Sequence, residues 1–115
     1  MPYVQAFPLA VPEDRKEDYR KMAEEFWPYF QKHGAISTTE CWEDAVEDGQ
    51  HTSFPMAVKR RPAEKVVFSW ILWPDRESYE KAFAAMMQDP ELEGVEMPFD
   101  GERMMWGGFE PIFAA

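Results

Sequence analysis

The chain has 115 residues, a single cysteine and a formal net charge of −10, with 45% hydrophobic and 16% aromatic residues. That length fits one domain spanning 1–115, whose core needs no disulfide or structural metal. The lone Cys41 excludes an internal disulfide framework and favours a reducing cytoplasm over secretion. The acidic excess repels phosphate backbones and anionic headgroups, which argues against nucleic-acid and membrane-surface partners.

The chain starts Met1-Pro2-Tyr3-Val4-Gln5, with no basic or apolar leader of the kind a signal peptide needs. Tyr3 to Leu9 reads as a first strand, rich in aromatic and branched residues and closed by prolines. From Glu13 to His33 the pattern becomes helical. Tyr19, Met22, Ala23, Phe26 and Phe30 recur at three- and four-residue spacing and share one face. His33-Gly34 suits a left-handed C-terminal cap, and Pro28 is expected to kink the helix or leave its last turn irregular.

Ala35 to Val46 reads as a second strand, with Ile36, Thr38, Glu40, Trp42, Asp44 and Val46 on one side. Thr52 to Lys59 reads as an extra edge strand or arm, which Pro55 keeps from any central position. Lys65 to Trp73 is the strongest strand signal. Its Val66, Phe68, Trp70 and Leu72 face one way, and Val67, Ile71 and Trp73 the other, so both faces are expected to be buried. It is also too short to span a bilayer. Asp75 caps a second helix whose stripe is Tyr79, Ala82, Phe83, Met86 and Met87. After an acidic loop, Arg103 to Phe113 reads as the last strand, with a bulge or close approach at Gly107-Gly108.

This order is the split βαβ, or ferredoxin-like, βαββαβ arrangement: an α+β antiparallel sheet with two helices on one face and the first and third strands central. The uncovered face would expose large apolar side chains of the third strand, a patch that monomers rarely tolerate. A second copy of the sheet is the simplest cover, giving a homodimeric α/β barrel. A monomer with the Thr52–Lys59 arm folded over the sheet is the competing account.

Met97-Pro98-Phe99-Asp100-Gly101-Glu102-Arg103-Met104, continuing to Gly107-Gly108-Phe109-Glu110, resembles the signature of the YbaA-like family, short bacterial proteins of unknown function. Glu40-Cys41-Trp42, Ser53 to Lys59 and Val67-Phe68-Ser69-Trp70 extend the resemblance over essentially the whole chain. The resemblance implies a ferredoxin-like fold in the dimeric α/β-barrel superfamily and no established reaction. Relatives in that superfamily include small monooxygenases and muconolactone-type isomerases, which use the cavity between sheet and helices. The haem-degrading branch uses an Asn/Trp/His constellation, and this sequence contains no asparagine.

Seven residues are candidates for lining a cavity or binding site. Glu40, Trp42 and Asp44 alternate along one strand and so share a face. A carboxylate beside a tryptophan in a cavity suits a base with a raised pKa, and a polar rim on an edge strand is the commoner use of the pattern. Trp70 is the aromatic centre of the third strand. Asp100 and Arg103 read either as an anion anchor at a cavity mouth or as a pair tying down their loop, and Glu110 as an inward-facing carboxylate or a solvated one. His33, His51 and Cys41 lack metal-ligand spacing, and Cys41 is expected to face away from Glu40, under a helix. No nucleophile–base pair or phosphate loop is present, so the expected function is cofactor-free: binding a small apolar or aromatic molecule, with monooxygenase- or isomerase-like chemistry as its enzymatic form. The alternative is a non-enzymatic dimeric interaction module.

Overall fold

A computed structural model describes residues 2–115. Four strands, β1 (Tyr3–Pro12), β2 (Ser37–Trp42), β3 (Glu64–Trp73) and β4 (Gly107–Phe109), form one antiparallel sheet in the order β2-β3-β1-β4. Helix α1 (Lys16–Lys32) follows a single 3₁₀ turn at Glu13–Arg15, and α3 (Arg76–Gln88) follows β3. The central pair is β1 and β3, as the ferredoxin-like reading required, with Tyr3 opposite Trp73 and Pro12 opposite Glu64.

The helix ends obey their local chemistry. Asp75 Oδ1 accepts the backbone N–H of Ser78 at 2.7 Å, capping α3. At the end of α1, Ala35 N–H donates to Phe30 O and Gly34 N–H to Gln31 O. These two bonds, with Gly34 at φ +102, make a Schellman cap. The helix runs through Pro28 and ends in this cap.

Three expected secondary-structure elements need correction. Thr52–Lys59 is not a strand: Phe54–Ala57 forms a short helix, α2, capped by Ser53, whose Oγ accepts from Met56 N–H at 3.1 Å. Ser followed by Phe-Pro is an N-cap with proline in the first turn, a stronger instruction than the surrounding β-branched residues. The last strand is three residues long instead of eleven. A 3₁₀ turn at Gly101–Arg103 precedes it, and Pro111 ends its capacity to pair. β2 stops at Trp42, so Asp44 lies outside the ladder.

The odd-numbered residues of β1 and β3 face the helices. Leu9, Val11, Tyr19 and Val67 form one buried cluster there; Ala35, Ile71, Trp73 and Ala82 form another. Trp73 Nε1 donates to Gln5 Oε1 at 3.0 Å, which satisfies the buried indole. On the opposite face, α2 covers one end of the sheet, burying Val58 against Ala10 and Val66. The rest of that face is open. Phe68 is 36% exposed and Trp70 half-buried, so burial of β3 on both faces holds within the chain only at Val66. Cys41 pairs with Phe68 on this open face, not beneath a helix.

Candidate functional site

The pairing of β2 with β3 sets Glu40 directly across from Ser69 on the helix-facing side. Ser69 is fully buried and donates its Oγ–H to Glu40 Oε2. Tyr19, 4% exposed on the first turns of α1, donates its hydroxyl to the same Oε2 at 2.7 Å. Among the described residues no buried side-chain polar atom lacks a partner, and Glu40 Oε1 has none, so that oxygen opens onto free space.

Burial pushes the Glu40 carboxyl above the ordinary 4.5, although the hydrogen bonds from Ser69 and Tyr19 pull it back in part. Burial and the neighbouring Glu40 charge push the Tyr19 phenol far above its ordinary value, so Tyr19 stays protonated and serves as a donor. A carboxylate so held has one oxygen fixed and one free to take a proton.

Two cavities meet here. A cleft of 390 Å³ between α1 and β2 is bordered by Lys16, Ala23, Trp27, Glu40 and Trp42. A chamber of 340 Å³ between the sheet, both long helices and the 97–106 segment has an almost wholly apolar wall. Tyr19, Ala23, Thr38 and Glu40 border both. Each volume lies within the range of small-molecule sites, roughly 300–1,000 Å³.

The remaining candidates are dispersed. Trp42 lines the cleft with Lys16 Nζ 5.4 Å above its ring. Asp44 and Glu110 are exposed, and Trp70 lies on the open face of the sheet, away from Glu40. Arg103 is fully engaged: it donates to both Glu64 oxygens at 2.7 Å, to Asp100 Oδ2 at 3.0 Å and to Lys59 O at 2.9 Å. The Arg103 guanidinium holds the Glu64 carboxyl below its usual range. These bonds tie the 97–106 segment to the start of β3 and so fix one wall of the chamber.

Sequence reading missed Tyr19 and Ser69 as site residues, taking Tyr19 only as part of an apolar helix stripe. It also missed Glu43, whose side chain is buried against Arg60 and which accepts the Val66 N–H at 2.8 Å. Burial raises the Glu43 carboxyl, but the Val66 amide and Arg60 outweigh that and hold it below normal. Among the described residues no group of three or more His, Cys, Asp or Glu side chains could hold a metal ion, and no helix is long and apolar enough to cross a membrane.

Residues 2–101 match the model of a family described as protein of unknown function, DUF1428. The chain belongs to that family. It is 49% identical over 114 residues to the uncharacterized protein YbaA of Escherichia coli K12, covering 97% of each chain, and equally similar to YbaA of Shigella flexneri. Two solved structures share the fold, both described as dimeric ferredoxin-like proteins from an uncultured marine organism. One has a TM-score of 0.62 at 11% identity, covering all of both chains. The other has a TM-score of 0.60 at 10% identity, covering 98% of this chain and 95% of that one. The YbaA-like resemblance and the ferredoxin-like α+β fold therefore both hold.

Proposed function

We propose that this DUF1428 member is a homodimeric α/β-barrel protein that binds a small, largely apolar molecule beside Glu40 and moves a proton on it without a cofactor. The observation that carries the reading is the free oxygen of Glu40, a carboxyl with a raised pKa, at the junction of two apolar cavities. A proton acceptor tuned toward neutrality by burial suits abstraction from an acidic C–H or O–H. That step serves an isomerisation, in which the proton returns at a second carbon, or the deprotonation that precedes direct oxygenation by dioxygen. Tyr19 and Ser69 position the carboxylate.

The dimer reading rests on charge. The chain is 30% charged, yet the open face of the sheet from Val4 to Ala10 and from Val66 to Leu72 carries no charged side chain. Through such a face two copies that each carry −10 can approach without like charges meeting at the contact. The ferredoxin-like neighbours described as dimeric lend weight to the same arrangement. A purely structural interaction module would leave the interior filled, and the two cavities weigh against it.

The test is native mass spectrometry of freshly purified protein beside its mass under denaturing conditions, followed by a binding screen of phenols, quinols and lactones. A dimer whose ligand or probe binding is lost in Glu40→Gln supports the reading. A monomer, or a dimer indifferent to every probe, contradicts it.

A further inference from the structure

The chamber next to Glu40 has an unusual wall. Met22 of α1, Met86 and Met87 of α3, and Met97 and Met104 of the following segment all border it. They are five of the eight methionines in the chain, drawn from three separate elements onto one space. Methionine is unbranched and polarizable, and a wall built from it adapts to flexible apolar groups better than to one rigid shape. Apart from Tyr19 and Glu40, at the junction, no ionisable side chain among the described residues borders this chamber. The rest of the wall is largely aromatic, from Phe7, Phe26, Phe30, Phe83, Phe99 and Trp106, so the space is apolar throughout and the five methionines are what let it accept a flexible group.

The cleft on the other side of Glu40 differs. Lys16, Arg20 and Glu24 border it. Arg20 is neutralised by Glu17 and Glu24, whereas Lys16 makes no ion pair among the described residues and rests over the Trp42 ring. An unpaired ammonium at the mouth of an apolar cleft, on a chain of net charge −10, is a placed attraction for an anion.

We propose that the ligand is an amphiphile with an anionic head at Lys16 and a flexible apolar tail in the chamber lined by methionines and aromatic rings, so that the atoms next to the head lie beside Glu40. This deepens the reading of Glu40 as the proton acceptor and rests on it. Tyr19, Ala23, Thr38 and Glu40, which border both cavities, mark the passage between head and tail.

The test uses decanoate and 1-decanol below their aggregating concentrations, with 2-naphthol as a compact aromatic probe. Each is added to the full chain carrying ¹³C-methyl methionine and followed by NMR of the methyl signals. Decanoate and decanol are expected to shift the methyl signals of Met22, Met86, Met87, Met97 and Met104 and to leave Met56 and Met105, outside the chamber, unmoved. Lys16→Gln, a change at an exposed side chain, should weaken decanoate roughly tenfold and leave decanol unaffected, because only the charged head loses a charge-assisted bond. If 2-naphthol binds and both decyl compounds leave the chamber methionines unshifted, the amphiphile assignment is overturned and the Glu40 reading stands. If decanoate binds equally to Lys16→Gln, the head assignment fails. If none of the three probes binds, both readings fall together.

Discussion

Ser69 and Tyr19 donate to one and the same oxygen of Glu40, from opposite sides of the core: Ser69 from the adjacent strand and Tyr19 from α1. Three residues far apart in sequence thus hold a carboxyl in the core while leaving its second oxygen free. A buried carboxyl held this way is costly to keep charged, and natural proteins retain such cost where function requires it.

Replacing Glu40 by Gln is therefore expected to stabilise the protein while abolishing ligand turnover or probe binding at the cleft. Gln keeps an acceptor for Tyr19 and Ser69 and loses the charge. Because the folded-state pKa is raised, the folded state binds the proton more readily than the unfolded one. The native carboxyl is thus best tolerated below its ordinary 4.5, and its contribution declines as pH rises through the shifted value. The gain in melting temperature of Glu40→Gln over the parent should be near zero at pH 4 and grow toward pH 7. A gain that shrinks as pH rises would contradict the raised pKa.

Tyr19→Phe removes one of the two hydrogen bonds without leaving a buried donor unpaired, so a loss of about 1 kcal/mol in urea denaturation is expected. The same change removes a bond that stabilises the charged form of Glu40. Any pH profile governed by that carboxyl should move to higher pH, and a profile that stays in place would assign the titration to another group.

The architecture was legible because its signals are local: period-two alternation, a helical stripe, the Asp75 and Gly34 caps, and a third strand apolar on both sides. The site was only half legible. Glu40 and Trp42 share a face in any register, but the face they share, and the meeting of Glu40 with Ser69, depend on how β2 slides along β3. Tyr19 fits an apolar stripe so well that nothing in its own neighbourhood announces a polar partner 21 residues away. The Ser53 cap and Pro55 were visible signals, overridden in the reading by the β-like residues around them.

Arg103→Ala should cost about 3 kcal/mol, because it leaves Glu64, itself 10% exposed, without its counter-ion. Lysine should not rescue it, since one ammonium cannot make the paired bonds to Glu64 and also reach Asp100 and the Lys59 carbonyl. The Glu64 carboxyl is held below its ordinary 4.5 by Arg103. The pair therefore stabilises above that value and loses its contribution as pH falls through the depressed one. Denaturation midpoints of parent and variant should differ most near neutrality and converge on acidification. A uniform gap at every pH would mean that Arg103 acts through packing of its stem instead of its charge.

Phe68→Glu tests the open face. The Phe68 ring lies 5.7 Å from Phe54 and 6.0 Å from Trp70, yet the residue is 36% exposed within the chain, so a carboxylate there remains solvated in an isolated subunit. In a face-to-face dimer the two-fold relation brings a like charge from each copy into a desolvated, apolar interface. The dimer dissociation constant should rise on the order of 100-fold, while circular dichroism remains native. Analytical ultracentrifugation separates the cases. A folded monomer locates the interface on this face; an unchanged dimer puts it elsewhere and leaves the charge-free sheet surface for a different partner. Trp70→Glu, two residues along the same strand and on the same face, should give the same result and guards against a purely local effect at Phe54.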